Sequence, residues 1–163
     1  MATQLILLIT LLIGFGIKIP IVPLHTWLPD AHVEAPTPAS VLLAGVLLKL
    51  GTYGLLRFGL GLFPQAWQTI APGLAALAVV SVLYGSFAAI AQTDMKKIVA
   101  YSSIGHMGYI ILAAAAATPL SLIGAIAQMI SHGLISALLF CWWVWSMPKP
   151  ARGISTYCGI AHA

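Results

Sequence analysis

Residues 18–38 read Lys18-Ile-Pro-Ile-Val-Pro-Leu-His-Thr-Trp-Leu-Pro-Asp-Ala-His-Val-Glu-Ala-Pro-Thr-Pro38. Five prolines fall in the nineteen residues from Pro20 to Pro38. No continuous helix tolerates that, because an interior proline removes a backbone donor and clashes with the preceding turn. Yet Leu24, Trp27 and Leu28 make the segment too apolar for a plain exposed loop. Two readings stand side by side. In one, a helix breaks near Pro20–Pro23 and resumes for a turn or two. Inside a membrane that is tolerated where the freed backbone faces protein or a wet cavity, and such breaks mark ion pathways. In the other, the segment is an interfacial loop with Trp27 anchored among headgroups.

The surroundings of this segment are those of a membrane protein. Of 163 residues, 61% are hydrophobic and 6% charged, and the mean hydropathy is +1.03. An ordinary soluble domain carries roughly 25% charge, so a soluble enzyme is excluded, and so is a disordered chain. The net charge of +4 reflects scarce acids, and the lysines and arginines are scattered, which gives nucleic-acid binding no support. Cys141 and Cys158 do not make a disulfide framework.

Five apolar stretches predict membrane segments, running from about Thr3 to Ile19, Pro38 to Leu62, Thr69 to Gln92, Asp94 to Ala117 and Leu120 to Trp145. Each is close to the roughly 20 residues needed to cross the hydrocarbon core. The first is not a cleaved signal peptide: no basic residue precedes it, and Lys18 sits at its far end. Pro38 and Asp94 are placed to begin helices. The Ala113–Ala117 run permits close helix packing. Lys96 and Lys97 fall in the connection shared by one side of the membrane, and only Arg57 lies near the other. The side with the two lysines is therefore expected to be cytoplasmic or stromal. The predicted fold class is all-α, a polytopic helix bundle of about five membrane segments including one broken helix.

Ionisable residues far from a span's ends are functional candidates, because a charge at mid-membrane costs at least about 2.5–3.5 kcal/mol on insertion scales. Lys49 lies eleven positions after Pro38, roughly 16 Å into its span at 1.5 Å per residue. Lys18 is a terminal snorkelling residue if its helix ends at Pro20, and mid-membrane if the helix breaks and resumes; the second placement is preferred. His106 and His132 each lie near mid-depth. Tyr101, Ser102 and Ser103 accompany the first, and Ser131 and Ser136 the second. Hydroxyls and imidazoles between lysines suit a proton relay. Two such histidines could instead ligate a haem, which would leave the lysines unexplained. All three acids, Asp30, Glu34 and Asp94, lie in connections. No carboxylate is available inside a span to pair with Lys49, so the chain is expected to be part of something larger.

The segments Lys18–His32, Leu42-Leu-Ala-Gly-Val-Leu-Leu-Lys-Leu50 and Gln92-Thr-Asp-Met-Lys-Lys-Ile-Val-Ala-Tyr-Ser-Ser-Ile-Gly-His-Met-Gly108 together resemble the antiporter-like membrane subunits of complex I-type NAD(P)H–quinone oxidoreductases. The likeness is greatest to the M-type branch in its cyanobacterial versions and runs over about residues 12–140. It implies a fragment of a larger subunit with inverted repeats and broken helices. Lys18 would match the lysine of the broken helix, Lys49 the linking lysine of the next helix, and His132 the channel-helix histidine of the following half, with His106 as a further relay. These groups would pass protons along a mid-membrane axis. Ser136 stands where the L-type branch has a lysine. The resemblance puts NADH, flavin, iron–sulfur and quinone sites on other subunits, so this chain is expected to hold no redox cofactor and no metal. It implies other membrane subunits of the complex as partners, and a bacterial thylakoid or plasma membrane as location, the cyanobacterial thylakoid preferred. The glutamate that pairs with the broken-helix lysine and the residue of the terminal channel are absent.

After Phe140 the family pattern stops. Trp142-Trp143-Val144-Trp145 must be encoded TGG TGG GTN TGG, and read one base earlier it gives Leu-Val-Gly followed by Val, Leu or Met, close to the family's continuation. A single-base slip near codon 141 is therefore expected, with residues 1–145 as the transmembrane part and 146–163 as an aberrant tail. Trp142, Trp143, Trp145, Cys158 and His162 receive no functional role on this reading. Two other classes remain: a subunit of a multi-subunit cation/proton antiporter, which shares these motifs, and a non-functional remnant of a truncated gene.

Overall fold

The computed structural model describes residues 1–146, all in helices and the turns that join them. Helix α1 is Ala2–Lys18 and α2 is Trp27–Glu34. Helix α3 spans Thr37–Leu60 and widens into π turns at Leu43–Leu47 and Leu55–Leu60. Helices α4, α5 and α6 are Pro64–Ile90, Met95–Ala116 and Pro119–Ser146. The four from α3 to α6 are long and apolar enough to cross a bilayer, and α1 is a shorter apolar helix. Cys158 and His162, with the rest of the expected aberrant tail after Ser146, lie outside the described residues.

The observed boundaries follow local chemistry. Pro64 opens α4 at a position where its missing N–H costs nothing. That helix starts five residues before the expected Thr69, and Pro72 inside it does not end it. Asp94 is at the N-cap position of α5 with extended backbone, but its carboxylate makes no capping bond; it pairs instead with Lys97 at 3.8 Å. Ala117 takes a left-handed φ of 49° and stops α5, and Pro119 then begins α6.

Between α1 and α2 the structure has an interrupted helix, not an interfacial loop. Lys18 and Ile19 lie against Gly51 of α3, and Phe15 lies against Gly54. Gly51 is fourteen residues beyond Thr37, about 21 Å along α3. So α1 stops beside the interior of a membrane-crossing helix, and Lys18 sits at depth rather than at a membrane face. The freed backbone finds protein partners, as a break in a bilayer requires. The Val22 N–H donates to Ser81 Oγ at 3.1 Å, and Trp27 Nε1 donates to the Ile17 carbonyl at 2.9 Å. Helix α2 then carries the chain to the level of Lys96, which donates to the carbonyls of Val33 and Ala35 at 3.4 and 3.1 Å. The Lys96 ammonium also lies 4.7 Å from the ring of Trp143 near the end of α6. The end of α2, the start of α5 and the end of α6 thus share one membrane face.

The tightest pairing is α4 with α5. A Cβ added to Gly85 would lie 2.6 Å from the Gly105 nitrogen, and one on Gly108 would lie 3.1 Å from the Ala78 carbonyl oxygen. Backbone contacts this close need the missing side chains, which is how membrane helices pack without a hydrophobic drive between them. The alanine run plays the same part, since Trp67 of α4's first turn is buried and donates to the Ala114 carbonyl at 3.1 Å. Replacing Gly85 with Val is therefore expected to push α4 and α5 apart, at a cost of about 1–3 kcal/mol or more. Gly61→Ala, where nothing lies within 4 Å, is expected to be silent. Thermal unfolding of the detergent-solubilised protein distinguishes the two.

Candidate functional site: a buried lysine–histidine chain

Helices α3 and α6 approach closely at Gly45 and Gly133. A Cβ on Gly133 would lie 3.1 Å from the Gly45 carbonyl oxygen and 3.6 Å from Lys49 Cε. The lysine stem therefore passes over a backbone with no side chain to block it. Its ammonium lies 2.7 Å from His132 Nδ1 on α6 and also donates to the Ala44 carbonyl inside the first π turn. The π turns bracket Lys49, a placement common at functional sites.

An ammonium only donates, so His132 Nδ1 accepts and the proton of the neutral ring is on Nε2. Nε2 is 3.1 Å from Ser103 Oγ on α5, and that hydroxyl donates to the Val99 carbonyl at 2.9 Å. The hydrogen bonds thus run in one direction, from Lys49 through His132 to Ser103. His132 and Ser103 are buried. An imidazole bonded at both nitrogens can take a proton at one and release another from the other, the property a relay needs.

His106 extends the group. Its ring centroid is 5.2 Å from that of His132 and tilted by 50°, and Gln128 Nε2 donates to its Nδ1 at 3.0 Å. It lies at the surface of the described bundle. The short separation between the rings excludes a haem iron sandwiched between them, because two metal–nitrogen bonds alone take about 4 Å before the ring radii are added.

The structure brings together three of the four predicted residues: Lys49, His132 and His106. It leaves Lys18 apart. The stem of Lys18 packs on Gly51, two positions from Lys49, but its ammonium makes no hydrogen bond or ion pair among the described residues. Ser102, Ser131 and Ser136 do not join the chain; their hydroxyls turn back to the carbonyls of Val99, Gln128 and His132. Ser103 belongs to the polar run noted beside His106, and Gln128 is the participant that sequence reading left unassigned. Each had a signal, since Ser103 stands three residues before His106 and Gln128 four before His132, the spacings that share a helix face. All three acids lie outside the four long helices, Asp30 and Glu34 on α2 and Asp94 before α5. Beside Lys49 a groove of about 450 Å³, lined by Val41, Gly45, Val46, Met129, Gly133 and Ala137, opens between α3 and α6. Among the described residues no three His, Cys, Asp or Glu side chains converge on a metal position.

The model of the transmembrane family of NADH:quinone oxidoreductase and Mrp antiporter subunits matches residues 1–162. The chain belongs to this family. Among its relatives in this antiporter-like family, NAD(P)H-quinone oxidoreductase chain 4 2 of Microcystis aeruginosa is 54% identical over 140 residues, which is 86% of this chain and 25% of the relative. Chain 4-1 of a Synechocystis strain is 53% identical over 137 residues, 84% of this chain and 26% of the relative. The chain thus spans about a quarter of the length of the curated relatives it matches. Among solved structures, respiratory complex I from Thermus thermophilus with bound NADH superposes with a TM-score of 0.77 at 33% identity, over 82% of this chain and 28% of the other. The Mrp complex from a Dietzia species superposes at 0.76 and 31%, over 85% and 15%. The chain is thus an integral membrane member of the family, with the antiporter-like fold.

Lys49 and Ser103 act on the same imidazole from opposite sides. Their substitutions Lys49→Met and Ser103→Ala are therefore expected to be non-additive, with an interaction energy of about 0.5–3 kcal/mol. A double-mutant cycle on thermal stability in detergent measures it.

Proposed function

We propose that this chain is a proton-conducting part of a membrane subunit in a complex I-type NAD(P)H–quinone oxidoreductase. The observation that carries the reading is the directional hydrogen-bond chain from Lys49 through His132 Nδ1 and Nε2 to Ser103, inside a membrane bundle. A proton delivered by Lys49 enters the ring at Nδ1, and the Nε2 proton leaves toward Ser103 and His106. Return of the ring to its first tautomer resets the step. Lys18, at the break beside Gly51, supplies the next basic group along the membrane interior. Electron transfer elsewhere in the complex drives the movement, and redox cofactors and quinone are held by other membrane and peripheral subunits, none by this chain. The face bearing Lys96 and Lys97 is cytoplasmic or stromal, and the membrane is a cyanobacterial thylakoid or plasma membrane. Residues 146–163 are read as out of frame, and sequencing the DNA across codon 141 tests that division.

The test of function is Lys49→Ala in the assembled complex that carries this chain. NAD(P)H-driven quinone reduction is expected to continue while protons moved per electron fall several-fold, as read by a pH-sensitive dye in sealed vesicles. An unchanged ratio would falsify the assignment. A second reading, a subunit of a cation/proton antiporter, is favoured by the superposition on the Mrp complex. Sodium-dependent pH gradients in vesicles without any NAD(P)H oxidation would select it.

A further inference from the structure

His32 on α2 is fully buried, and neither of its ring nitrogens has a hydrogen-bond partner among the described residues. A neutral imidazole carries one donor and one acceptor, and buried polar groups are almost always satisfied by protein or ordered water. Nothing in the proton chain described above uses this ring. Its position does connect to that chain along two helices.

On α6, His132, Ser136 and Phe140 are successive buried residues four apart, and Phe140 stacks on His32 with centroids 4.9 Å apart and planes at 24°. On α5, Lys96 bonds to the carbonyls of Val33 and Ala35, one and three residues after His32; Val99 packs in one cluster with Phe140 and Ala44; and Ser103 bonds to His132. Both helices therefore set His32 between the membrane face at Lys96 and the inner end of the chain at Ser103. Seven residues of α5 separate those two levels, about 10 Å, a gap that one imidazole with ordered water on either side spans. One turn from Phe140 on α6, Ser136 is buried, and its hydroxyl oxygen, having donated to the His132 carbonyl, still has lone pairs with which to accept from such water.

We infer that His32 holds ordered water and passes protons between the membrane face at Lys96 and the Ser103–His132 end of the buried chain. It takes a proton from water at one ring nitrogen and gives the other nitrogen's proton to water on the far side, with no net change in the ring once it returns to its first tautomer. This inference rests on the proton-conducting reading above.

Two experiments test it. In a density map of the intact wild-type complex at a resolution that shows ordered water, a water is expected within hydrogen-bond distance of a His32 ring nitrogen. A ring packed dry on all sides would overturn the inference. In the same complex His32→Phe keeps an aromatic ring to stack on Phe140 but removes both nitrogens. Protons moved per electron are expected to fall several-fold with quinone reduction retained, and His32→Gln, which can hold water, is expected to recover part of the loss. Wild-type stoichiometry in His32→Phe alongside an impaired Lys49→Ala complex would defeat this inference alone. An unimpaired Lys49→Ala complex would defeat the function on which it rests. If His32→Phe does not assemble, His32→Gln and the map decide: a wet ring supports the inference and a dry one overturns it.

Discussion

A charged amine in the middle of a bilayer is the constraint around which the rest of this structure is arranged. Lys49 lies near the middle of its long apolar helix, and no carboxylate lies within the long helices to neutralise it. Its partners are neutral acceptors, the Ala44 carbonyl and His132 Nδ1. That solution requires α3 and α6 to touch, and Gly45 and Gly133 let them do so. It requires an imidazole whose other nitrogen is already occupied, and Ser103 occupies it. Each group that touches the ammonium is uncharged and accepts a hydrogen bond from it.

The interrupted helix follows the same logic at the backbone level. Between Lys18 and Trp27 the chain gives up helical hydrogen bonds in a region where water is scarce. Ser81 of α4 and the indole of Trp27 replace two of the lost partners. The prolines set where the break falls, and the buried Ile19 and Ile21 keep it inside protein. Lys96 then closes the far end of α2.

Much of this was legible in the chain itself. The long apolar runs placed the membrane helices to within a few residues, because composition alone decides what a bilayer accepts. The start of α4 at Pro64 was missed: polar Gln65 and Gln68 hid a first turn that Pro64 nucleates. The break was legible as one of two alternatives, since proline spacing excludes a straight helix but does not say at what depth the chain turns. Lys49, His132 and His106 were legible as candidates by depth. Their contact was not, because 83 residues separate Lys49 from His132 and only the glycine-to-glycine approach of two helices joins them. The π turns left no sequence signal. Asp94 shows the opposite failure, a good capping residue whose carboxylate prefers Lys97.

The pairing of α4 with α5 has a mechanical meaning. Backbone lies on backbone at Gly85, Gly105 and Gly108, so the two helices can neither slide nor rotate against each other without collision. They form a stiff post, and Ser103 and His106 are fixed to it, as is Ser81 at the break. Helix α3 is built differently: two widened turns and glycines at 45, 51, 54 and 59 leave it compliant. Any cycle that makes and unmakes the contact between Lys49 and His132 will therefore flex α3 against a stationary frame, and Lys49 moves with its helix while Ser103 and His106 stay put.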